Sequence, residues 1–373
     1  MLLTPTAEHE SFRQAIREFL RAHSAESEVR RLMESERGYD PMVWRQLATQ
    51  LGLQGMAIPE EFGGSGYGWP ELGIALEEMG RVLLCAPFFA TSVLASSTLL
   101  ESGDLDACRR YLPEMAAGTL IATLAILEDS GSWRPQDVAL SARQSADGWL
   151  LDGHKTFVLD AHVADLILTV GRTPAGLAVF AVDANAAGLT KRQLATADPT
   201  RRQGRVEFEG TPAELVDGGR NGWDVVQRVL DLAVTALAIE QVGGAQRAME
   251  MSVEYASIRT QFGRSIGSFQ AVKHKCADML LEVETARSAA SHALWSVSEA
   301  ASELPVAARL AGAYCSEAFL RVATENIQVH GGIGFTWEHP AHLYFRRAKS
   351  SQLLFGHPNE HRELLAGRIG LSA

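Results

Sequence analysis

The chain has 373 residues and a formal net charge of −11, enough length for two or three domains, or one composite domain, with an ample core. That charge argues against nucleic acid, whose binders need a basic face, and no polybasic run speaks for a membrane surface. The composition is globular but rich in Ala and Leu and poor in aromatics, which leans towards helix.

In chain order, residues 6–24 place Phe12, Ile16, Phe19 and Leu20 at helical spacing, with Thr6 as a cap and Glu8 and Glu10 in the first turn. A second helix is expected over 42–51. The glycine-rich loop from Ile58 to Gly68 could cradle phosphate but lacks the lysine and preceding strand of a P-loop. Helices follow over 69–83, 91–102 and 105–115. Near Gly118 the pattern changes: 120–127, 149–151, 166–170 and 177–182 are short, apolar and bounded by turn formers. Asp147-Gly148 and Asp152-Gly153 read as hairpin turns. Long helical runs resume at 224–259, 269–298, 306–327 and 340–354, with a final helix over 357–369. Helices, then strands, then helices imply segregated layers, an α+β chain that is mostly α. The expected division is 1–118 helical, 119–219 β, and 220–373 a four-helix bundle.

Cys85, Cys108, Cys276 and Cys315 lie far apart with no metal spacing, so they read as buried reduced thiols of a cytoplasmic protein, and no metal is expected. The first residues lack a charged leader followed by an apolar core, and no apolar run reaches membrane-spanning length.

The link from Tyr255 to Gln270 sits between two long helices and carries Arg259, Phe262 and Gln270. Gly263 and Gly267 allow tight backbone paths there. Arginine forks onto phosphate oxygens and aromatics cover flat rings, so the set suits a ligand bearing both; the alternative is an ordinary helix connection with solvated arginines.

Tyr-Ala-x-x-Arg-x-Gln-Phe-Gly-Arg-x-Ile-x-x-Phe-Gln, from Tyr255 to Gln270, resembles a signature of the acyl-CoA dehydrogenase family. Gln328-Val-His-Gly-Gly-Ile-Gly-Phe335 resembles its second signature, in the expected order and spacing. The resemblance extends more weakly over nearly the whole chain. It implies a helical domain, a central β domain and a C-terminal four-helix bundle, with FAD between the last two and the neighbouring subunit completing the site. By position it gives Arg259, Phe262 and Gln270 to the dinucleotide, with Gln328, Gly331 and Gly332 as a second contact. His330 lies beside them, either as a binder or as an unpaired surface histidine. On the β side, Leu127, Ser132, Phe157 and Leu159 occupy flavin-facing positions. Leu127 and Leu159 replace threonines and Asp129 replaces a proline, so flavin hydrogen bonding is expected to differ. The glycine-rich loop matches a family turn that is mainly structural.

The implied reaction is α,β-desaturation of an acyl-CoA to a 2,3-enoyl-CoA, in fatty acid or steroid catabolism, with electrons passing to an electron-transfer flavoprotein. It needs a carboxylate base, yet the usual position is Gly356 and the minority position is Ala233. Asp231 faces elsewhere on the helix. Glu240, seven residues and roughly 10.5 Å beyond Ala233 on the same face, is the candidate base in an apolar run. The alternative for Glu240 is a structural acid paired with an arginine such as Arg247. His357 and Glu360 are fallback bases, while Pro358 and Glu360 replace a Thr and a Gln that touch flavin. Ala233, Ala236 and Gly243 would admit a bulky acyl chain or simply close helix packing. These departures resemble an actinobacterial branch of steroid and lipid breakdown in which two different chains assemble. Three readings therefore stand: a complete dehydrogenase, a non-catalytic or half-site subunit, and a flavoenzyme acting on another activated carbon acid. A shared FAD site implies a homodimer or homotetramer, or a heterotetramer with a related subunit.

Overall fold

A computed structural model describes residues 6–146 and 148–371. Helix α1 (Ala7–His23) begins where the Thr6 hydroxyl accepts from the His9 backbone N–H at 3.2 Å, the cap read from the sequence. It is followed by α2 (Glu26–Glu34), α3 (Pro41–Thr49) and α4 (Trp69–Arg81). The glycine-rich loop before α4 is a structural turn: a Cβ on Gly64 would lie 2.0 Å from the Ile58 carbonyl oxygen. The helix expected over 91–102 opens instead as a wide π-turn, Phe89–Ala95, and only Ser96–Ser102 (α5) is regular. Within the wide turn the Thr91 hydroxyl donates to the Ala122 carbonyl at 3.0 Å, tying it to the first strand. Helix α6 (Leu105–Ala116) completes the helical part.

The strands are β1 (Ala122–Ala125), β2 (Ser141–Ser145), β3 (Gly148–Leu159), β4 (Leu166–Thr173), β5 (Gly176–Asp183), β6 (Leu189–Gln193) and β7 (Gln203–Val216). Their order is β1-β4-β2-β3-β7-β5, with β6 on β7 and a further β4–β5 pairing that closes the path into a ring. Leu151, Val158, Ile167, Phe180, Val182, Val206 and Phe208 form its core. Ser145 pairs with Gly148 across the first expected hairpin; Asp147 itself lies outside the described residues. Asp152-Gly153 is not a turn. It sits inside β3 at a register irregularity against β7, where Gly153 takes a φ of +135°.

The remaining helices are α7 (Gly222–Ile258), α8 (Gln270–Glu299), α9 (Leu304–His330), α10 (Ala341–Leu353) and α11 (Pro358–Arg368). Helix α9 packs against α8, α10 and α11. Gly244 lets α7 approach the Phe319 ring of α9, and Ser252 of α7 donates to Asn326 of α9 at 2.9 Å. Contacts divide the chain into two compact units. One holds the residues up to Arg30, 69–84 and those from Val234 onwards; the other holds 31–68 and 85–233. In the first unit α4 lies so close to α7 that a Cβ on Gly243 would fall 1.9 Å from the Glu77 carbonyl oxygen, so Gly243 serves close packing. Among the described residues no helix is long and apolar enough to cross a membrane.

Candidate functional site

The Tyr255–Gln270 link folds as a two-stranded hairpin, Thr260–Gln261 against Arg264–Ser265. Its turn residues Phe262 and Gly263 have φ of +53° and +76°, both positive as a type I′ turn demands. Glycine accepts that geometry freely, but Phe262 does so at a cost and remains 92 % exposed. Phe262 meets Phe269 edge-on at 6.2 Å, and Arg264 lies 4.1 Å from the Phe269 ring centroid. Arg259 is exposed with no acidic partner among the described residues, and Gln270 is exposed at the start of α8.

The second motif is brought to the first by ring stacking: Tyr255 and His330 have centroids 4.4 Å apart. His330 is therefore not a surface histidine. It is 5 % exposed, its Nδ1 lies 2.8 Å from the Asn326 carbonyl oxygen, and burial lowers its pKa. Beyond it Gln328, Gly331 and Gly332 are exposed, and a Cβ on either glycine would meet nothing within 4 Å. An unpaired guanidinium, an exposed ring and two open glycine backbones fit the phosphates and flat rings of a dinucleotide.

In the second unit Phe157 is 49 % exposed at a φ of +55°, on an irregularity of β3 between Lys155 and Val158. Leu127 is half-buried, and its carbonyl accepts from the Thr156 N–H at 2.8 Å. The Ser132 hydroxyl donates to Asp137 at 2.5 Å. Leu159 is 2 % exposed, and its carbonyl receives the Thr123 hydroxyl at 2.6 Å. Of these four side chains, Phe157 presents the largest free surface. That exposed ring, held in a strained conformation, fits a flat ligand ring.

At the two positions where the resemblance implies a base, the side chains are Ala233 and Gly356, neither an acid. Ala233 is fully buried. Gly356 has a φ of +119°, and a Cβ there would lie 3.3 Å from His361 and 3.4 Å from Glu360. The His361 ring is 3 % exposed and fits a notch between glycines, since a Cβ on Gly312 would also fall 3.0 Å from it. Its Nδ1 lies 3.3 Å from the Arg309 guanidinium, and burial with that charge pushes its pKa down to about 3. The fallback bases are committed to starting α11: His357 accepts from Asn359 N–H at 3.3 Å, and Glu360 accepts from His357 N–H at 2.7 Å.

Glu240 is 6 % exposed, and its Oε1 accepts from Arg347 Nη1 at 2.9 Å, with Arg347 itself 2 % exposed. The partner is thus Arg347; Arg247, suggested by sequence, bonds Glu254 at 2.9 Å instead. Protonating Glu240 would weaken this buried ion pair. The Gly312 notch that receives His361 and the Arg347 pairing had no signal in sequence, because each joins residues distant along the chain.

The acyl-CoA dehydrogenase N-terminal domain family matches residues 6–119, and its C-terminal domain family matches residues 220–370. The chain is 34 % identical to the acyl-CoA dehydrogenase IpdE2 of Mycobacterium tuberculosis, over 96 % of each chain. Among solved structures, a variant of the Tcur3481-Tcur3483 steroid ACAD is 31 % identical with a TM-score of 0.89, covering 98 % of this chain and 99 % of that one. The ChsE4-ChsE5 complex from Mycobacterium tuberculosis is 30 % identical with a TM-score of 0.90, covering all of both chains.

Proposed function

Since the chain belongs to the FAD-dependent acyl-CoA dehydrogenase family, we propose that it is the base-lacking subunit of a heteromeric acyl-CoA dehydrogenase. A related subunit would supply the carboxylate. The observation that carries this reading is Gly356, which brings no acid, and whose φ of +119° and closeness to His361 would strain any side chain placed there. Abstraction of an α-proton needs a base in direct reach of it, and neither Gly356 nor Ala233 provides one.

The chain's own contribution is grip and shape. In one unit Arg259 would meet phosphate oxygens, the backbone at Gly331 and Gly332 would approach them closely, and Phe262 would cover a flat ring; in the other, Phe157 offers an exposed ring of its own. When bound, FAD supplies the acceptor for the hydride that leaves the β-carbon of the thioester. Electrons would then pass to an electron-transfer flavoprotein. Glu240 serves in this reading as a structural anchor for Arg347. Two relatives, described as a steroid ACAD and as a two-chain complex, support a bulky polycyclic acyl-CoA as substrate and a partner chain.

The test is enoyl-CoA formation by the chain purified alone and after co-expression with a related subunit, using sterol-derived acyl-CoA thioesters and an artificial electron acceptor. Product should form only with the complex. Product from the isolated chain would refute the assignment.

A further inference from the structure

We propose that the buried pair of Lys155 and Glu128 is a positioning device: it fastens the loop spanning 128–139 to β3 and so sets the surface that Leu127, Ser132 and Phe157 turn towards the flavin. The inference rests on the FAD reading above, but its geometry stands apart from any ligand. Lys155 is fully buried, with its Nζ 2.8 Å from Glu128 Oε1 and 3.0 Å from the Ile126 carbonyl oxygen. Glu128 then accepts the backbone N–H of Ala139 at 2.8 Å through Oε2 and that of Leu140 at 2.9 Å through Oε1. One carboxylate at the start of the loop therefore holds the chain where the loop ends, and one ammonium holds that carboxylate to the strand.

The next residue along the strand continues the attachment. Thr156 N–H donates to the Leu127 carbonyl at 2.8 Å. Phe157 follows immediately in its positive-φ conformation, so its direction depends on where Lys155 and Thr156 are held. Ser132 lies within the clamped loop.

Stability alone does not account for a lysine in this place. Burial, only partly offset by Glu128, brings its pKa down to about 8. Burial also works against the Glu128 carboxylate, but Lys155 and the two backbone N–H groups outweigh it and keep that pKa below the ordinary value. Apolar residues of similar size often serve a core at least as well as a buried ion pair, so what the pair adds here is a defined geometry.

Lys155→Met alone would strand a buried carboxylate and endanger the fold, so the test uses the double variant Lys155→Met with Glu128→Gln, which removes both charges. Two quantities are read on the co-expressed complex: backbone amide exchange over 126–140 and the dissociation constant for FAD. The double variant should melt near the parent temperature, exchange about tenfold faster across the loop, and bind FAD about tenfold more weakly. A folded double variant with parental exchange overturns the clamp. Faster exchange with parental FAD affinity overturns its positioning role. A parent complex that holds no FAD would instead refute the cofactor reading, and the exchange result would still decide the clamp.

Discussion

The hairpin around Phe262 and the segment around Gly356 belong to the same compact unit, yet they spend backbone strain and burial in opposite ways. At the hairpin, a phenylalanine is held at positive φ and left in solvent, Arg259 has no acidic partner among the described residues, and the neighbouring motif keeps Gly331 and Gly332 open. Apart from the edge-on contact with Phe269, the exposed ring returns little packing, and strain kept with little packing return is the mark of a surface shaped for a ligand. Around Gly356 the positive φ belongs to a glycine, a buried histidine fills the adjoining notch, and neighbouring polar groups close a helix cap. That region is finished as core. The contrast suggests a chain that keeps its hold on a cofactor while having closed the place where a base would stand.

This contrast yields expectations of decreasing size. Breaking the Glu240 pair should act on stability: Arg347→Met should cost about 3–5 kcal/mol in chemical denaturation, because it removes one partner of a buried ion pair. Glu240→Gln, tested in the co-expressed complex, should lower the melting temperature and leave substrate-dependent flavin reduction intact. Lost reduction at parental stability would instead make Glu240 the base.

Acid should unfold this unit next. Burial and the Arg346 charge bring His342 down to about 4, burial and Arg309 bring His361 to about 3, and burial lowers His330 and His339. An unfolded histidine titrates near 6.5. Below that pH the unfolded chain binds protons that the fold refuses, so stability is complete above it and declines as pH falls towards 4. Melting curves from pH 7.5 to 4 would check this; a flat profile would mean that these rings are reached by water.

Gly356→Glu should destabilise by about 1–3 kcal/mol and confer no activity on the isolated chain, since the positive φ and the His361 ring strain the side chain away from a working position. At the hairpin the signs reverse. Arg259→Met should leave stability within about 0.5 kcal/mol of the parent while weakening FAD binding roughly tenfold to a hundredfold. Phe262→Gly should gain up to about 1 kcal/mol of stability from relieved strain and still weaken FAD binding. Differential scanning calorimetry paired with flavin titration would separate the two regions.

Much of the fold was legible because its helices carry their apolar residues at helical spacing and begin at recognisable caps, as Thr6 does for α1. The misses have physical causes. Strands β2 and β6 are mostly exposed and polar, so they show little apolar alternation. Strand β7 does alternate, with Val206 and Phe208 buried between the charged Arg205, Glu207 and Glu209, a pattern visible in the sequence. Gly153 resembled a turn because glycine serves a strand irregularity by the same positive φ. At the site, the two motifs locate the hairpin and the Gly331-Gly332 turn, but Lys155 with Glu128, Glu240 with Arg347, and His361 with Gly312 are pairings at a distance. No local pattern announces them.

The most direct measurement is the anaerobic visible spectrum of the isolated chain, reconstituted with FAD and titrated with sterol-derived and straight-chain acyl-CoA thioesters. The flavin should stay oxidised with every thioester, and reduction should appear only when the base-bearing subunit is added. Bleaching of the isolated chain by any thioester would show that it carries its own base, and would contradict the account.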